Sequence, residues 1–263
     1  MKKTYDTDVA LLSVTTTEFR AVTHFHDWKA KTFPGDEQIY DVASFERNGK
    51  TRSLVHAKIS EMGMTAAAAT AMKMIYTFRP RYLIMVGIAA GVAKTELEEQ
   101  MYGDVIVPDI VWNYSAGKFV SPDKAKIVYG NLGFLPRSTS ESIPEEILPY
   151  LQKAAESEDN PCHVFIGPMA CGSTVVASRE LLEKQVYSQY QHTAGLDMES
   201  YAVVYAANHA ADPKPIPIIV KSVCDFADNA KSDDYQRFAA YSSCEFAKYL
   251  YENILPMDDE VKV

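Results

Sequence analysis

The run Ile216-Pro-Ile-Ile-Val-Lys-Ser-Val-Cys-Asp225 constrains the fold more than any other stretch of the chain. From Ile216 to Val220 it is apolar without alternation, the character of a strand covered on both faces. Asp8-Val-Ala-Leu-Leu-Ser-Val14 and Arg81-Tyr-Leu-Ile-Met-Val86 read the same way. Between those two, the alanine- and methionine-rich segment Thr65 to Phe78 reads as a helix. It ends at Arg79-Pro80 because the residue before a proline avoids helical angles. Strand, helix and strand in that order predict a parallel crossover. The expected fold class is therefore α/β, a single domain with a central mixed β-sheet flanked by helices. A chain of 263 residues suits one such domain over residues 1–263, with 257–263, past Pro256, a frayed acidic tail.

In an open sheet of this kind a ligand site forms where strands give way to helices. Two segments lie at such boundaries: Thr193-Ala-Gly-Leu-Asp-Met-Glu-Ser200, ahead of a helix from Tyr201 to His209, and Lys221-Ser-Val-Cys-Asp-Phe-Ala-Asp228. Leu196 is expected to point into the core, leaving Met198 and Glu199 at the strand end, and Asp225 reaches the same edge. A carboxylate at the first place can face a polyol, and one at the second can act as a general acid. Each also has an ordinary reading, Glu199 as a helix-start residue facing the dipole and Asp225 as a cap. Glu18 poses the same choice. Thr15-Thr-Thr-Glu18 has the spacing of a capping box at the start of a helix running towards Trp28.

Charge and composition exclude several function classes. With 35 acidic against 26 basic residues and a formal charge of −9, the chain lacks the basic footprint of a nucleic-acid binder. No apolar run approaches the ~20 residues of a membrane helix. Val9 to Val14 falls short of the ~7–15-residue apolar region of an export signal. A cytoplasmic protein with no membrane partner is expected. The cysteines at 162, 171, 224 and 244 show no Cys-x-x-Cys spacing, so they read as reduced thiols packed as small hydrophobes. Cys162, His163 and Cys171 lack a fourth metal ligand at a familiar spacing. His24 and His26, two residues apart on a helix, do not share a face and are expected in solvent. Neither metal nor cofactor is therefore expected. Gly87-Ile-Ala-Ala-Gly91 has the spacing of neither a dinucleotide fingerprint nor a Walker loop. Its small residues would let backbone approach a flat base.

The rest of the chain reads more simply. Asn48-Gly49 between Ile39 to Phe45 and Thr51 to Ile59 predicts a tight hairpin, and Phe33-Pro-Gly-Asp36 a loop. Trp112 to Pro136 reads as an irregular aromatic segment: a lid, a subunit contact or a surface excursion. A helix from Pro144 to Ala155, a strand from His163 to Gly167, a small-residue loop from Met169 to Val176 and a helix from Ser178 to Tyr190 follow. In the final helix, Tyr235 to Asn253, the spacing of Phe238, Tyr241, Phe246, Tyr249 and Leu250 predicts core packing. Met62, Met64, Met72 and Met74 are expected in the core as well.

Asp197-Met-Glu-Ser200 followed by Val223-Cys-Asp-Phe-Ala-Asp228 resembles the signature of the purine nucleoside phosphorylase and nucleosidase superfamily. Within it the pattern is closest to the methylthioadenosine/S-adenosylhomocysteine nucleosidase-like hydrolases. Val86-Gly-Ile-Ala-Ala-Gly-Val92, Gly103-Asp-Val-Ile-Val-Pro108 and Glu61-Met-Gly-Met-Thr65 resemble further family segments in the family's order, so the likeness runs from Asp8 to Tyr251. It implies a cofactor-independent, homo-oligomeric enzyme, at least a dimer, that hydrolyses the N-glycosidic bond of a small adenosine-type purine nucleoside. Its family roles would fall to Asp225 as acid at purine N7, Glu199 as binder of the ribose hydroxyls and Glu18 as activator of water. Ala89, Ala90, Val176, Met198 and Cys224 would complete the substrate site.

The departures from the family pattern matter equally. Where the phosphorylases carry phosphate-binding groups, including arginines, this chain has Thr15-Thr-Thr-Glu18, Met85 and Ile88, which favours water over phosphate as nucleophile. Ile88 also replaces a serine typical of the hydrolases, Lys221 an arginine, and Val176 an aromatic residue. Ala170-Cys-Gly-Ser173 and Cys224 to Asp228 resemble nucleosidase-like domains fused to signalling and defence proteins. Phosphorolysis, or a catalytically silent nucleoside-binding module, are the alternatives.

Overall fold

A computed structural model describes residues 4–92, 99–229 and 232–257. The chain opens with β1 (Thr7–Ser13), α1 (Thr16–Thr23), β2 (Lys29–Phe33), β3 (Asp36–Arg47), β4 (Lys50–Lys58), α2 (Met64–Phe78) and β5 (Pro80–Gly91). Next come β6 (Val105–Val107), β7 (Ile110–Asn113), β8 (Gly117–Val120), β9 (Ile127–Tyr129), β10 (Leu132–Pro136) and β11 (Thr139–Ser142). After α3 (Leu148–Glu156) lie β12 (Val164–Ile166), β13 (Met169–Cys171) and α4 (Arg179–Leu181), which passes into a π-helical turn over Leu182–Tyr187. β14 (Gly195–Asp197), α5 (Ser200–Asn208), β15 (Ile216–Asp225) and α6 (Gln236–Tyr249) complete the order, with a π-helical turn at Leu250–Ile254. None of the described helices is long and apolar enough to cross a membrane.

Twelve strands form one mixed sheet with the path β11-β7-β13-β14-β5-β1-β4-β3-β2, while β15 pairs with β5 and β6, and β12 with β6. The sheet turns on β5. Its first half runs parallel to β1, ending at the pair Leu12–Met85, and its far end pairs antiparallel with β14 at Gly91–Gly195. Along the other edge β15 follows it in parallel from Ile216–Tyr82 to Asp225–Ala90. The apolar runs that predicted doubly covered strands are buried accordingly, from Val9 to Leu12 and from Tyr82 to Val86. The hairpin turns at Asn48 and Gly49, both with positive φ (51° and 70°), and pairs Arg47 with Lys50. That is the geometry a two-residue loop needs to match the strand twist.

Several expectations are corrected. Gly87 to Gly91, which resembles a family loop, is strand here: the β15 ladder carries β5 through it, pairing Ser222 with Ile88 and Val223 with Ala89. Met169 to Cys171 is likewise a strand, held between β7 and β14. Trp112 to Pro136 is not irregular but supplies the end of β7 and a separate antiparallel sheet, β8-β10-β9. The first helix stops at Thr23 instead of reaching Trp28, and Lys29–Phe33 pairs with β3. In the last helix Phe246 and Leu250 are buried, but Phe238 and Tyr241 are exposed, as is Met62. Phe238 nevertheless covers Gly103, where a Cβ would meet its ring. His24 is exposed, whereas His26 is half-buried and hydrogen-bonded to the Tyr251 hydroxyl (2.7 Å). Met257 is fully buried in the core rather than frayed, because Arg47 holds the carbonyls of Tyr251 and Leu255 (2.9 and 2.6 Å) and so ties this end of the chain to β3. Residues 258–263 of the expected tail lie outside the described residues.

Candidate active site

A cavity of about 290 Å³ lies at the carboxyl ends of β1, β5, β14 and β15. Glu18, Ala89, Ala90, Val176, Met198, Glu199, Cys224 and Asp225 all line it. The carboxylates arrive there by three different local devices.

Glu18 sits in the first turn of α1. Its Oε2 accepts the N–H groups of Val14 and Thr15 (2.8 and 2.7 Å), and its own N–H donates to Thr15 Oγ1 (3.1 Å), so the capping box forms. Oε1 accepts the N–H of Ile88 (2.9 Å), on the part of β5 beyond its ladder with β1. The helix-cap role and a place in the cavity therefore coexist in one carboxylate. Gly87 makes room for it, since a Cβ there would lie 2.1 Å from Glu18 Oε1.

Glu199 precedes α5 but makes no capping bond with its side chain. That role falls to Asp197, whose carboxylate accepts the N–H and hydroxyl of Ser200 (3.0 and 2.6 Å). Glu199 is left to reach across the sheet end, where Oε1 accepts the N–H of Gly63 at the start of α2 (2.8 Å). Burial pushes its carboxyl above the ordinary glutamate range, opposed by the ammonium of Lys221. Lys221 is 1% exposed and places Nζ 3.3 Å from Asp197 Oδ2 and 3.7 Å from Glu199 Oε2. Desolvation opposes its charge, but Asp197, Glu199 and Glu18 outweigh it and hold the amine above the usual lysine range.

Asp225 ends β15 at a bulge, where Val223 pairs with Ala89 and Asp225 with Ala90, leaving Cys224 as the extra residue. Bulges beside sites re-aim the side chain that follows. Asp225 Oδ1 accepts the N–H of Ala227 (2.9 Å), a cap-like bond, and Cys224 Sγ stands 3.4 Å from Oδ2. Both side chains are buried.

The apolar walls come from Ala89, Ala90, Val176, Leu196, Met198 and Ala227, so Leu196 reaches the cavity as well as the core. Sequence reasoning missed Tyr114, which enters from the end of β7, its backbone N–H bonded to Cys171 and its hydroxyl donating to Thr174 (3.0 Å). Gly172 lets that ring close in, as a Cβ there would lie 2.2 Å from it. Nothing in the sequence links positions 114 and 172. Asp197 was also missed, although an aspartate just ahead of a helix start is a cap signal. Thr15, Met62, Thr174, Asp233 and Gln236 complete the polar and outer lining. Five carboxylates and no lysine or arginine stand among the described lining residues. No group of three or more His, Cys, Asp or Glu side chains among the described residues is placed to hold a metal.

The phosphorylase superfamily pattern matches residues 8–254. The y4jS protein of Sinorhizobium fredii is 33% identical over 94% of this chain and 60% of its own length. A death domain-containing ATP nucleosidase of Amphimedon queenslandica is 27% identical over 73% of this chain and 37% of its own. The ATP nucleosidase Cap17 of Escherichia coli is 25% identical over 76% of this chain and 41% of its own. The chain thus spans between 37% and 60% of the length of these relatives. Among solved structures, the methylthioadenosine/S-adenosylhomocysteine nucleosidase of Helicobacter pylori superposes with a TM-score of 0.75 at 17% identity, over 95% of this chain and all of that one. Futalosine hydrolase of the same organism gives 0.74 at 17% identity, over 95% and 99%. The structures speak to the fold, and the matched pattern to kinship: the chain belongs to the phosphorylase superfamily.

Proposed function

We propose that the protein is a cofactor-independent purine nucleosidase that hydrolyses the N-glycosidic bond of an adenosine-type nucleoside. The observation that carries this reading is the convergence of Glu18, Glu199 and Asp225, from α1, the start of α5 and the end of β15, on one cavity. Cleaving a purine from ribose passes through an oxocarbenium-like sugar. It needs a proton for the departing base and a nucleophile on the opposite face. In the proposed reaction Asp225 protonates the purine at N7, Glu199 accepts hydrogen bonds from the ribose hydroxyls, and Glu18 takes the proton of the attacking water. Ala89, Ala90, Val176, Met198 and Cys224 contact the substrate.

The charge of the lining bears on the choice of nucleophile and of the substrate's 5′ group. A dianion or a triphosphate needs cationic partners, and the described lining offers five carboxylates instead. Lys221 is turned away into a buried pair with Asp197. This supports water over phosphate, and an uncharged 5′ end over the ATP named for the curated relatives. The volume of about 290 Å³ also lies at the small end of ligand pockets.

The test is to incubate the protein with adenosine, inosine, methylthioadenosine, AMP and ATP, each with and without phosphate, and to assay free base. Release from an uncharged nucleoside without phosphate is expected. Release only with phosphate makes the protein a phosphorylase, release from ATP alone overturns the 5′ assignment, and binding without turnover makes it a silent module. A homo-oligomer is part of the proposal and is read by light scattering.

A further inference from the structure

We propose that Lys221 is a positioning residue, a buried counter-ion that keeps Glu199 ionised and fixed so that it can grip the ribose. The inference rests on the nucleosidase reading of the cavity but concerns a residue outside it: Lys221 is not among the lining residues. Its Nζ lies behind the site wall, 3.3 Å from Asp197 Oδ2 and 3.7 Å from Glu199 Oε2. Asp197 is itself fixed by Ser200, so the ammonium stands on a rigid post and leans on Glu199 from behind. On the other side Glu199 is anchored by the Gly63 N–H. That leaves the carboxylate little freedom to turn from the cavity.

The charges around Glu199 explain why a cation is needed. Asp197 from β14, Glu18 from α1 and the buried Cys171 thiol from β13 all face this cluster, and Lys221 from β15 supplies its positive charge. A buried carboxylate beside two others takes up a proton unless a cation or hydrogen-bond donors hold it charged. Once protonated, it presents one fewer acceptor to a sugar diol. Gly87 belongs to the same arrangement. A Cβ at that position would approach both Glu18 Oε1 (2.1 Å) and Lys221 Nζ (3.2 Å), so its absence lets cation and carboxylate draw close.

The experiment compares Lys221→Met and Lys221→Arg with the wild-type protein. For Lys221→Met, KM for the ribonucleoside is expected to rise by roughly tenfold or more, the loss of a charged hydrogen-bond partner for the sugar. The acidic limb of the kcat/KM profile should move up by about one pH unit or more. Lys221→Arg keeps the charge and should restore both. A Lys221→Met protein with wild-type KM and limb, or an arginine variant as damaged as the methionine one, overturns the proposal. Should Lys221→Met not fold, Lys221→Gln, which keeps a hydrogen-bond donor for Asp197 but not the charge, reads the same quantities.

A second readout needs no turnover. An infrared carboxylic-acid band should appear at neutral pH in Lys221→Met and vanish when Glu199→Gln is added. Its absence from Lys221→Met sinks the counter-ion role even if no nucleoside is cleaved. Its presence in Lys221→Met, where the wild-type protein releases no base, upholds the counter-ion while refuting the nucleosidase reading.

Discussion

Glu18 shows how one side chain answers two demands. Its three backbone hydrogen bonds cap α1 and tie that helix to β5, and they also hold the carboxylate at the cavity wall. On the proposed mechanism, substituting it would mix a stability loss with a functional one. Asp225 is the cleaner probe. Asp225→Asn keeps the shape and an acceptor for the Ala227 N–H but cannot pass a proton to the base. On the proposed mechanism kcat should fall by about 10²- to 10⁴-fold, the usual contribution of a general acid, with the circular dichroism and melting temperature little changed. Wild-type turnover in this variant would remove Asp225 from the chemistry.

At the scale of elements, the site depends on where strands stop. β1 ends at Ser13, and three positions beyond its last pair with β5 the Ile88 N–H turns to Glu18. Gly87→Ala should force the two apart, because the new Cβ would lie 2.1 Å from Glu18 Oε1. A cost of about 1–3 kcal/mol is expected in urea unfolding, together with a drop in kcat, since overpacking must displace the carboxylate. An unchanged denaturation midpoint and unchanged activity would show that the backbone there has slack. Next to this junction Ser13 Oγ, the His56 ring and Asp41 form a chain (2.9 and 3.3 Å) that laces β1 to β4 and β3. Ser13 and His56 are fully buried, so this chain holds strands together and does not meet a substrate.

Burial lowers the His56 pKa from its ordinary 6.5, against the pull of Asp41. Below that value the unfolded chain binds a proton that the folded chain resists. The stability tied to a neutral His56 is therefore complete above pH about 6.5 and is lost as the pH falls towards the folded-state value. Unfolding midpoints should drop between pH about 7.5 and about 5.5, and His56→Gln should flatten the slope. His26, also lowered by burial, contributes to the same window.

Across the whole molecule, the last described segment closes the core. Leu255 and Met257 are fully buried, the Tyr82 hydroxyl donates to the Pro256 carbonyl (2.5 Å), and Arg47 holds the turn before it. Met257→Ala should lower stability by about 2–5 kcal/mol, the range for emptying a core methionine site, and a melting curve reads it directly. A shift within error would place that side chain outside the cooperative unit. The cavity lies at the opposite kind of place, where strand ends diverge and the sheet changes partners, as ligand sites in α/β folds tend to do.

What the sequence determined by itself were the features written in neighbouring residues. Unbroken apolar runs placed β1, β5 and β15, Asn48-Gly49 fixed the hairpin, and Asp197 to Ser200 and Val223 to Asp228 marked two segments that bound the cavity. Tertiary structure alone decided the rest. The β15 ladder, not local preference, made Gly87 to Gly91 a strand, and β7 with β14 did the same for Met169 to Cys171. Tyr114 enters the cavity only because Gly172 leaves it room, and Lys221 pairs with Asp197 only because β14 and β15 flank the end of β5. The physical reason is one of range. Burial periodicity, turn chemistry and helix capping act over a few residues and can be read along the chain. The approach of a ring to a missing Cβ, or of an ammonium to a carboxylate, depends on distances that exist only once the sheet has closed.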